Sequence, residues 1–148
     1  MVIKKYQQSE FFSLFVLISV STVVLDQFSK YIALLANSNI KTGILSFNIA
    51  RNTGAGFGIL QGKTLLLTFI SLLVALAIIY FYKDLPKERN MHILFALFLG
   101  GVVGNLIDRA FRGHVIDFIN LSFWPSFNIA DAAISIAALG LVYYVWKK

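Results

Sequence analysis

The sequence predicts an all-α membrane protein with four transmembrane helices and a small β or loop element outside the membrane. Of its 148 residues, 58% are hydrophobic and 14% are charged, whereas a soluble domain is about half apolar and about a quarter charged. Four apolar segments approach the roughly 20 residues that a helix needs to cross the hydrocarbon layer. The length suits one domain, and we expect residues 1–148 to form it.

The predicted helices cover residues 11–36, 64–82, 91–107 and 129–146. The first carries Asp26 and Lys30 near its end, four residues apart and therefore on one face. A cleaved signal peptide is the rival interpretation, because Lys4 and Lys5 precede the apolar stretch. Asp26 and Lys30 stand where small residues would mark a cleavage site, which favours a retained helix. The third helix has small residues that allow close helix packing, namely Gly100, Gly101 and Gly104.

Basic residues predict the orientation of these helices. Seven of the thirteen Lys and Arg residues lie at positions 1–10, 83–90 and 147–148, so the positive-inside rule places both termini in the cytoplasm. Residues 37–63 and 108–128 then lie outside. A β-like run at 44–49, followed by several glycines, predicts a small extracytoplasmic sheet or folded loop. The cations form no basic stripe, so nucleic acid is not an expected partner.

Polar side chains gather at the outer ends of the predicted helices, where their cost in a membrane indicates a functional site. They are Asp26, Asn52, Asn105, Asp108, Arg109, Asp117, Asn128 and Asp131. Ion pairs at i,i+4 are the favoured interpretation of Asp26 with Lys30 and of Asp108 with Arg112. Asp131 comes three residues after Asn128 at a helix start, so helix capping and catalysis both remain open for it.

Asp117 differs because it lies in an apolar, strand-like run with no adjacent cation. Such an acid needs a partner, and Asp131 is the nearest candidate. Two carboxylates held close together share a proton, so the ionised one can deprotonate water while the protonated one polarises a peptide carbonyl. A serine site built from His114 with Ser122 or Ser126 ranks lower, because neither serine lies in a sharp-turn nucleophile motif. With no cysteine and two histidines, we expect no metal and no cofactor.

Five short motifs resemble, in order, those of the lipoprotein signal peptidases (signal peptidase II), which are membrane aspartic peptidases. Residues 26–30 resemble D-x-x-[ST]-K, 52–57 resemble N-x-G-A-A-F, 104–109 resemble G-N-x-x-D-R, 113–118 resemble G-x-V-V-D-F, and 127–131 resemble F-N-x-A-D. Each motif alone is weak. Five in the family's order, within a four-helix frame, are highly specific.

The resemblance implies that Asp117 and Asp131 are the catalytic pair. It further implies a site lined by Asn52, Gly54, Asn105, Arg109 and Asn128, with Asp26, Lys30 and Asp108 in supporting roles. The implied substrates are diacylglyceryl-prolipoproteins, cut just before the lipidated lipobox cysteine, and the outer segment around residues 40–60 would correspond to the family's β-cradle. We accordingly expect a multi-pass, monomeric enzyme of the prokaryotic cytoplasmic membrane, in contact with membrane lipid and with its active site at the outer face.

The sequence departs from the family pattern at three points and leaves other functions to consider. Gly56 replaces the usual second alanine, Ala132 stands where serine or threonine is common, and the loop between Asp117 and Asp131 is short, which bears on how far an outer lid can close.

A small transporter or proton channel is the main alternative, although its acids would be spread through the membrane depth. A noncatalytic assembly subunit would leave the aspartates without a purpose.

Overall fold

A computed structural model describes residues 2–36, 39–56 and 59–147 of the chain. Phe57, which ends the motif at 52–57, and Gly58 lie outside the described residues. The long helices are α1 (Val2–Ala36), α2 (Thr64–Tyr80), α3 (Arg89–Arg112) and α4 (Ile129–Trp146), and a 3-10 helix, Phe81–Asp84, continues α2. Each of the four contains a stretch that is long and apolar enough to cross a membrane. For α2, this stretch includes the 3-10 helix. The predicted four transmembrane helices are confirmed.

Two helices extend beyond their predicted bounds. Helix α1 begins at Val2 rather than at residue 11, because polar residues continue the helix ahead of the apolar stretch that starts at Glu10. Helix α3 begins two residues early and runs to Arg112, so residues 108–112, predicted to begin the second outer segment, continue the helix. Asp108 pairs with Arg112 along the helix, and Gly113 ends it with φ of 72°, a conformation that glycine adopts easily.

Helix α3 is the centre of the bundle. Half of its spanning stretch is buried, against 22%, 11% and 17% for α1, α2 and α4, and it packs against all three. A Cβ atom on Gly101 would lie 2.5 Å from the carbonyl oxygen of Ala130 in α4, and one on Gly104 would lie 2.7 Å from the carboxylate of Asp26 in α1. The predicted role of these small residues in close helix packing is confirmed.

The outer surface of the bundle is apolar. Large side chains on three different helices are mostly exposed, for example Leu17 at 64%, Leu65 at 87% and Leu139 at 72%. An exposed apolar surface of this extent suits contact with lipid chains rather than with water.

Four antiparallel strands form one sheet where α1 and α3 end and α4 begins. In sheet order they are β1 (Ile40–Thr42), β2 (Leu45–Asn52), β3 (Val115–Leu121) and β4 (Trp124–Phe127), so the predicted small sheet is confirmed. Strand β2 pairs with β3, with Ala50 opposite Asp117 and Asn52 opposite Val115. Since side chains alternate along a strand, Asn52 and Asp117 share one face of the sheet.

Candidate active site

Asp131 occupies the first turn of α4 and caps that helix together with Asn128. Its backbone N–H donates to Asn128 Oδ1 at 2.9 Å, and its Oδ2 accepts from the backbone N–H of Asn128 at 3.3 Å. This reciprocal capping box fixes the side chain and lets the helix dipole favour its negative charge. Capping uses only Oδ2, because Oδ1 accepts from Asn105 Nδ2 at 2.8 Å.

Asp117 lies in β3 and is 1% exposed. Its Oδ1 accepts from Asn128 Nδ2 at 2.7 Å and its Oδ2 from Asn52 Nδ2 at 3.0 Å. Burial, and secondly the nearby charge of Asp131, raise the pKa of Asp117 to about 6, although the two asparagine hydrogen bonds and the charge of Lys30 act in the opposite direction. The acid is therefore half-protonated near pH 6, about one unit below neutrality and well above the range of an ordinary aspartate.

Asn128 and Asn105 connect the two aspartates. Asn128 contacts both acids, through its side-chain amide to Asp117 and through its backbone to Asp131. Asn105 Oδ1 accepts from Asn128 Nδ2 at 3.2 Å and from Lys30 Nζ at 3.3 Å. With two donors at its oxygen, the amide nitrogen of Asn105 is left to face Asp131, so one hydrogen-bonded chain sets the orientation of both carboxylates.

A buried ion cluster supports this chain from α1 and α3. Lys30 Nζ lies 2.7 Å from Asp26 Oδ2 and 2.8 Å from Asp108 Oδ2, and all three side chains are fully buried. Both predicted i,i+4 pairs are present, since Arg112 also pairs with Asp108. The pair between Lys30 and Asp108 links two helices and was not predicted, because residues 78 positions apart carry no local signal of contact.

The same two carboxylates hold the elements that carry the candidate catalytic pair. Asp26 Oδ1 accepts from the backbone N–H of Ala130 at 2.9 Å, at the start of α4. Asp108 Oδ2 accepts from the backbone N–H of Ile116 at 3.0 Å, one residue before Asp117. Gln27, which sequence reasoning did not single out, donates to both acids at 3.1 Å. The cluster therefore positions β3 against α4.

One side of the site is formed by the end of β2 and the connection that follows it, with Asn52 and Gly54, together with Arg109 of α3. Asn52 Oδ1 accepts from the backbone N–H of Gly54 at 2.9 Å, which turns its Nδ2 towards Asp117. Arg109 donates from Nη2 to the carbonyl oxygen of Gly54 at 3.1 Å. Its Nε is buried and has no hydrogen-bond partner among the described residues. All ten residues singled out by sequence thus lie in one connected region.

The lower-ranked serine site gains no support from the hydrogen bonds. The Ser122 hydroxyl donates to the carbonyl oxygen of Ile44 at 3.2 Å, in the sheet. Within residues 2–36, 39–56 and 59–147, no three His, Cys, Asp or Glu side chains come together as a metal site.

Comparisons with known proteins agree with the resemblance. A family model described as "Signal peptidase (SPase) II" matches residues 18–147. The lipoprotein signal peptidase of Clostridium novyi is 37% identical over 144 residues, covering 90% of this chain and 97% of the relative. That of Staphylococcus aureus (strain MRSA252) is 33% identical over 157 residues, covering 97% and 92%.

The fold is also similar to solved structures of bacterial membrane enzymes. One, determined by the in meso method at 2.3 Å resolution, superposes with a TM-score of 0.85 at 32% identity, covering 91% of this chain and 88% of that one. A second, at 1.9 Å resolution, has a TM-score of 0.81 at 32% identity, covering 92% and 94%. Sequence and fold agree over nearly the whole length, and the chain belongs to the signal peptidase II family of bacterial membrane peptidases.

Proposed function

We propose that this chain is an aspartic endopeptidase that removes signal peptides from diacylglyceryl-modified prolipoproteins, cutting just before the lipidated cysteine. Asp117 and Asp131 are its catalytic pair. The strongest support is that Asn128 hydrogen-bonds both carboxylates, so that the buried Asp117 and the partly buried Asp131, from different elements, share one site. The names of the relatives, lipoprotein signal peptidases, supply the substrate class.

The pair can hydrolyse a peptide bond with groups already present. The ionised carboxylate takes a proton from water, and the water oxygen bonds to the scissile carbonyl carbon while the protonated carboxyl donates to the carbonyl oxygen. The resulting tetrahedral intermediate collapses when the C–N bond breaks and a proton passes to the leaving amine. Because Asp117 has a pKa near 6, a state with one shared proton is accessible close to neutral pH.

Lys30, Asn105 and Asn128 act as positioning residues. Lys30 donates to the oxygen of Asn105, which directs the amide nitrogen of Asn105 to Asp131. Asp26 and Asp108 hold the starts of α4 and β3. Asn52, Gly54 and Arg109 form the wall on which the substrate backbone would lie, since the buried Nε of Arg109 still has a donor to offer.

The substrate explains why the site lies where helices meet a sheet. A prolipoprotein anchored by two acyl chains presents its scissile bond at the membrane boundary, and the sheet joins the helices at such a boundary. We place both termini in the cytoplasm and the active site at the outer face, on the basis of the basic residues at the opposite end. The enzyme acts as a monomer, and residues 1–148 form its one peptidase domain.

A transporter or proton channel is not favoured. Its acids would line a path through the membrane, whereas α2 contains no charged residue and α4 contains only Asp131, in its first turn.

Cleavage of a diacylglyceryl-modified lipobox peptide by the purified protein in detergent or lipid tests the function. We expect the parent to cut before the lipidated cysteine, and Asp117→Asn and Asp131→Asn to abolish cleavage. Asp84→Asn, an exposed acid in the 3-10 helix, is the matched control and should retain full activity. Circular dichroism and gel filtration would verify that each variant is folded. Full activity in either active-site variant would exclude the aspartate pair as the catalytic group.

A further inference from the structure

The carboxylates of Asp26 and Asp108 are linked twice, once by a cation and once by a neutral amide. Lys30 Nζ lies 2.7 Å from Asp26 Oδ2 and 2.8 Å from Asp108 Oδ2. The second link is Gln27, whose Nε2 lies 3.1 Å from Asp26 Oδ2 and 3.1 Å from Asp108 Oδ1. Lys30 and Arg112 already pair with the two acids. Charge compensation therefore does not account for the amide link.

The two links restrict the carboxylates to different degrees. An ammonium group is a point charge with three donors on a flexible stem, so the Lys30 link tolerates a turn of either carboxylate. The side-chain amide of Gln27 has only two N–H donors, in fixed directions. A third acceptor of its Nε2 is the carbonyl oxygen of Gly104 at 3.1 Å, and its Oε1 accepts from Arg112 Nη1 at 3.0 Å. Because α3 holds both ends of the amide, Gln27 restricts the direction of the two carboxylates as well as their separation.

Each of these two carboxylates also holds an element of the candidate active site. Asp26 Oδ1 accepts from the backbone N–H of Ala130 at 2.9 Å. Asp108 Oδ2 accepts from the backbone N–H of Ile116 at 3.0 Å. Ala130 and Ile116 directly precede the two aspartates of the site. A turn of either buried carboxylate would therefore shift the backbone that carries one of those aspartates.

We propose that Gln27 is a positioning residue: it holds the two buried carboxylates in one orientation and so fixes the separation of Asp117 from Asp131. Gln27 acts through Asp26 and Asp108 and takes no part in the chemistry itself. The inference rests on the proposed function, in which Asp117 and Asp131 are the catalytic pair.

Loss of the amide should affect catalysis more than stability. Each of the four carboxylate oxygens keeps a donor without Gln27, from Lys30, from Arg112 or from a backbone N–H. Methionine has nearly the volume of glutamine, so Gln27→Met removes the hydrogen bonds and keeps the packing. A misplacement of about 1 Å can lower a catalytic rate by about a hundredfold. We expect Gln27→Met to lower kcat for the diacylglyceryl-modified peptide by about ten- to a hundredfold, with KM within about twofold of the parent.

Two further variants separate positioning from packing. Gln27→Glu keeps the shape of the side chain and an oxygen that can accept from Arg112, but it cannot donate to both acids at once. It should therefore be as impaired as Gln27→Met. Asn90→Leu removes an exposed amide at the other end of α3 by a similar change, and it should keep the kcat of the parent. Unfolding midpoints of all three variants should stay close to that of the parent.

The pH dependence of stability reports on the pair without any substrate. Burial and the charge of Asp131 raise the pKa of Asp117 to about 6, and both effects weaken if the two aspartates separate. The free energy of unfolding falls as the pH rises to the pKa of folded Asp117. We expect this fall to end at a lower pH in Gln27→Met than in the parent, and at the parent's pH in Asn90→Leu.

Three outcomes would overturn the proposal. They are a parental kcat in Gln27→Met, a parental kcat in Gln27→Glu, which would assign the residue to packing, and an unchanged pH dependence of stability in Gln27→Met. Either Gln27 variant decides the matter if the other fails to fold. A parent that does not cleave the peptide would overturn the proposed function instead, and the pH dependence would then still decide whether Gln27 positions the two aspartates.

Discussion

Replacement of Lys30 by methionine should destabilise the protein more than any other single loss of a cation. Its Nζ lies 2.7 Å from Asp26 and 2.8 Å from Asp108, and all three side chains are fully buried. Methionine keeps most of the side-chain volume but leaves two buried carboxylates without their shared cation. Removing one member of a buried ion pair costs about 3–5 kcal/mol. Gln27 and Arg112 still contact Asp108, which keeps the expected loss within that range, at about 4 kcal/mol.

Unfolding in mixed micelles, followed by fluorescence of the two tryptophans, would measure this loss. Lys63→Met removes an exposed lysine and is the matched control, with an expected change within about 0.5 kcal/mol. The double variant Lys30→Met with Asp108→Asn should recover part of the stability, because it removes one of the uncompensated charges. A loss below about 1 kcal/mol for Lys30→Met, the size of a surface salt bridge, would refute the reasoning.

Three further predictions concern the site and the packing around it. Asp117→Asn should abolish a pH dependence of stability. With its pKa raised from 3.8 to about 6, Asp117 favours the folded state fully below about pH 4, and about 3 kcal/mol is lost as the pH rises through 6. Gly104→Ala should lower the free energy of unfolding by about 1–3 kcal/mol, because its Cβ would lie 2.7 Å from Asp26 Oδ2. Gly56→Ala should be neutral, because its Cβ would meet no atom of the described residues within 4 Å. Asn128→Ala should cost about 1 kcal/mol of stability through the lost cap. It should also reduce kcat/KM by more than about tenfold, because Asn128 orients both carboxylates.

Each of these predictions has an outcome that contradicts it. The free energy of unfolding would be measured at each pH between about 4 and 7 for the parent and for Asp117→Asn. If the two curves ran parallel, folded Asp117 would not hold its proton more tightly than the unfolded chain does. Equal unfolding midpoints for the two glycine variants would mean that α1 and α3 can separate at no cost. If peptide cleavage by Asn128→Ala fell less than about tenfold, which corresponds to about 1.4 kcal/mol, Asn128 would be a helix cap without a positioning role.

Hydropathy alone predicts the helices, but it does not predict where each of them ends. The fourth helix has its predicted bounds, Ile129–Trp146, because its cap and its apolar stretch begin together. The third helix continues to Arg112, because a backbone hydrogen-bond ladder does not stop at the first charged residue when the charges pair along it. Apolarity indicates where lipid surrounds a helix, whereas a helix end depends on caps and turns.

Local patterns singled out the residues that the structure brings together, but they did not predict the contacts among them. The capping box of Asn128 and Asp131 follows from a spacing of three residues. The hydrogen bond from Asn128 to Asp117 and the ion pair of Lys30 with Asp108 depend on how the helices pack, which one sequence does not encode locally. Gln27 illustrates the limit, since nothing in its neighbourhood distinguishes it from a surface glutamine until α1 and α3 are in contact.

The pairing of β2 with β3 has a consequence for biogenesis. These strands are separated in the chain by α2 and α3, so they can meet only after both helices have entered the membrane. Asp131 arrives later still, on the fourth helix. A ribosome-bound chain that has inserted three helices thus lacks Asp131, and the proposed catalytic pair is complete only after the last segment has been inserted.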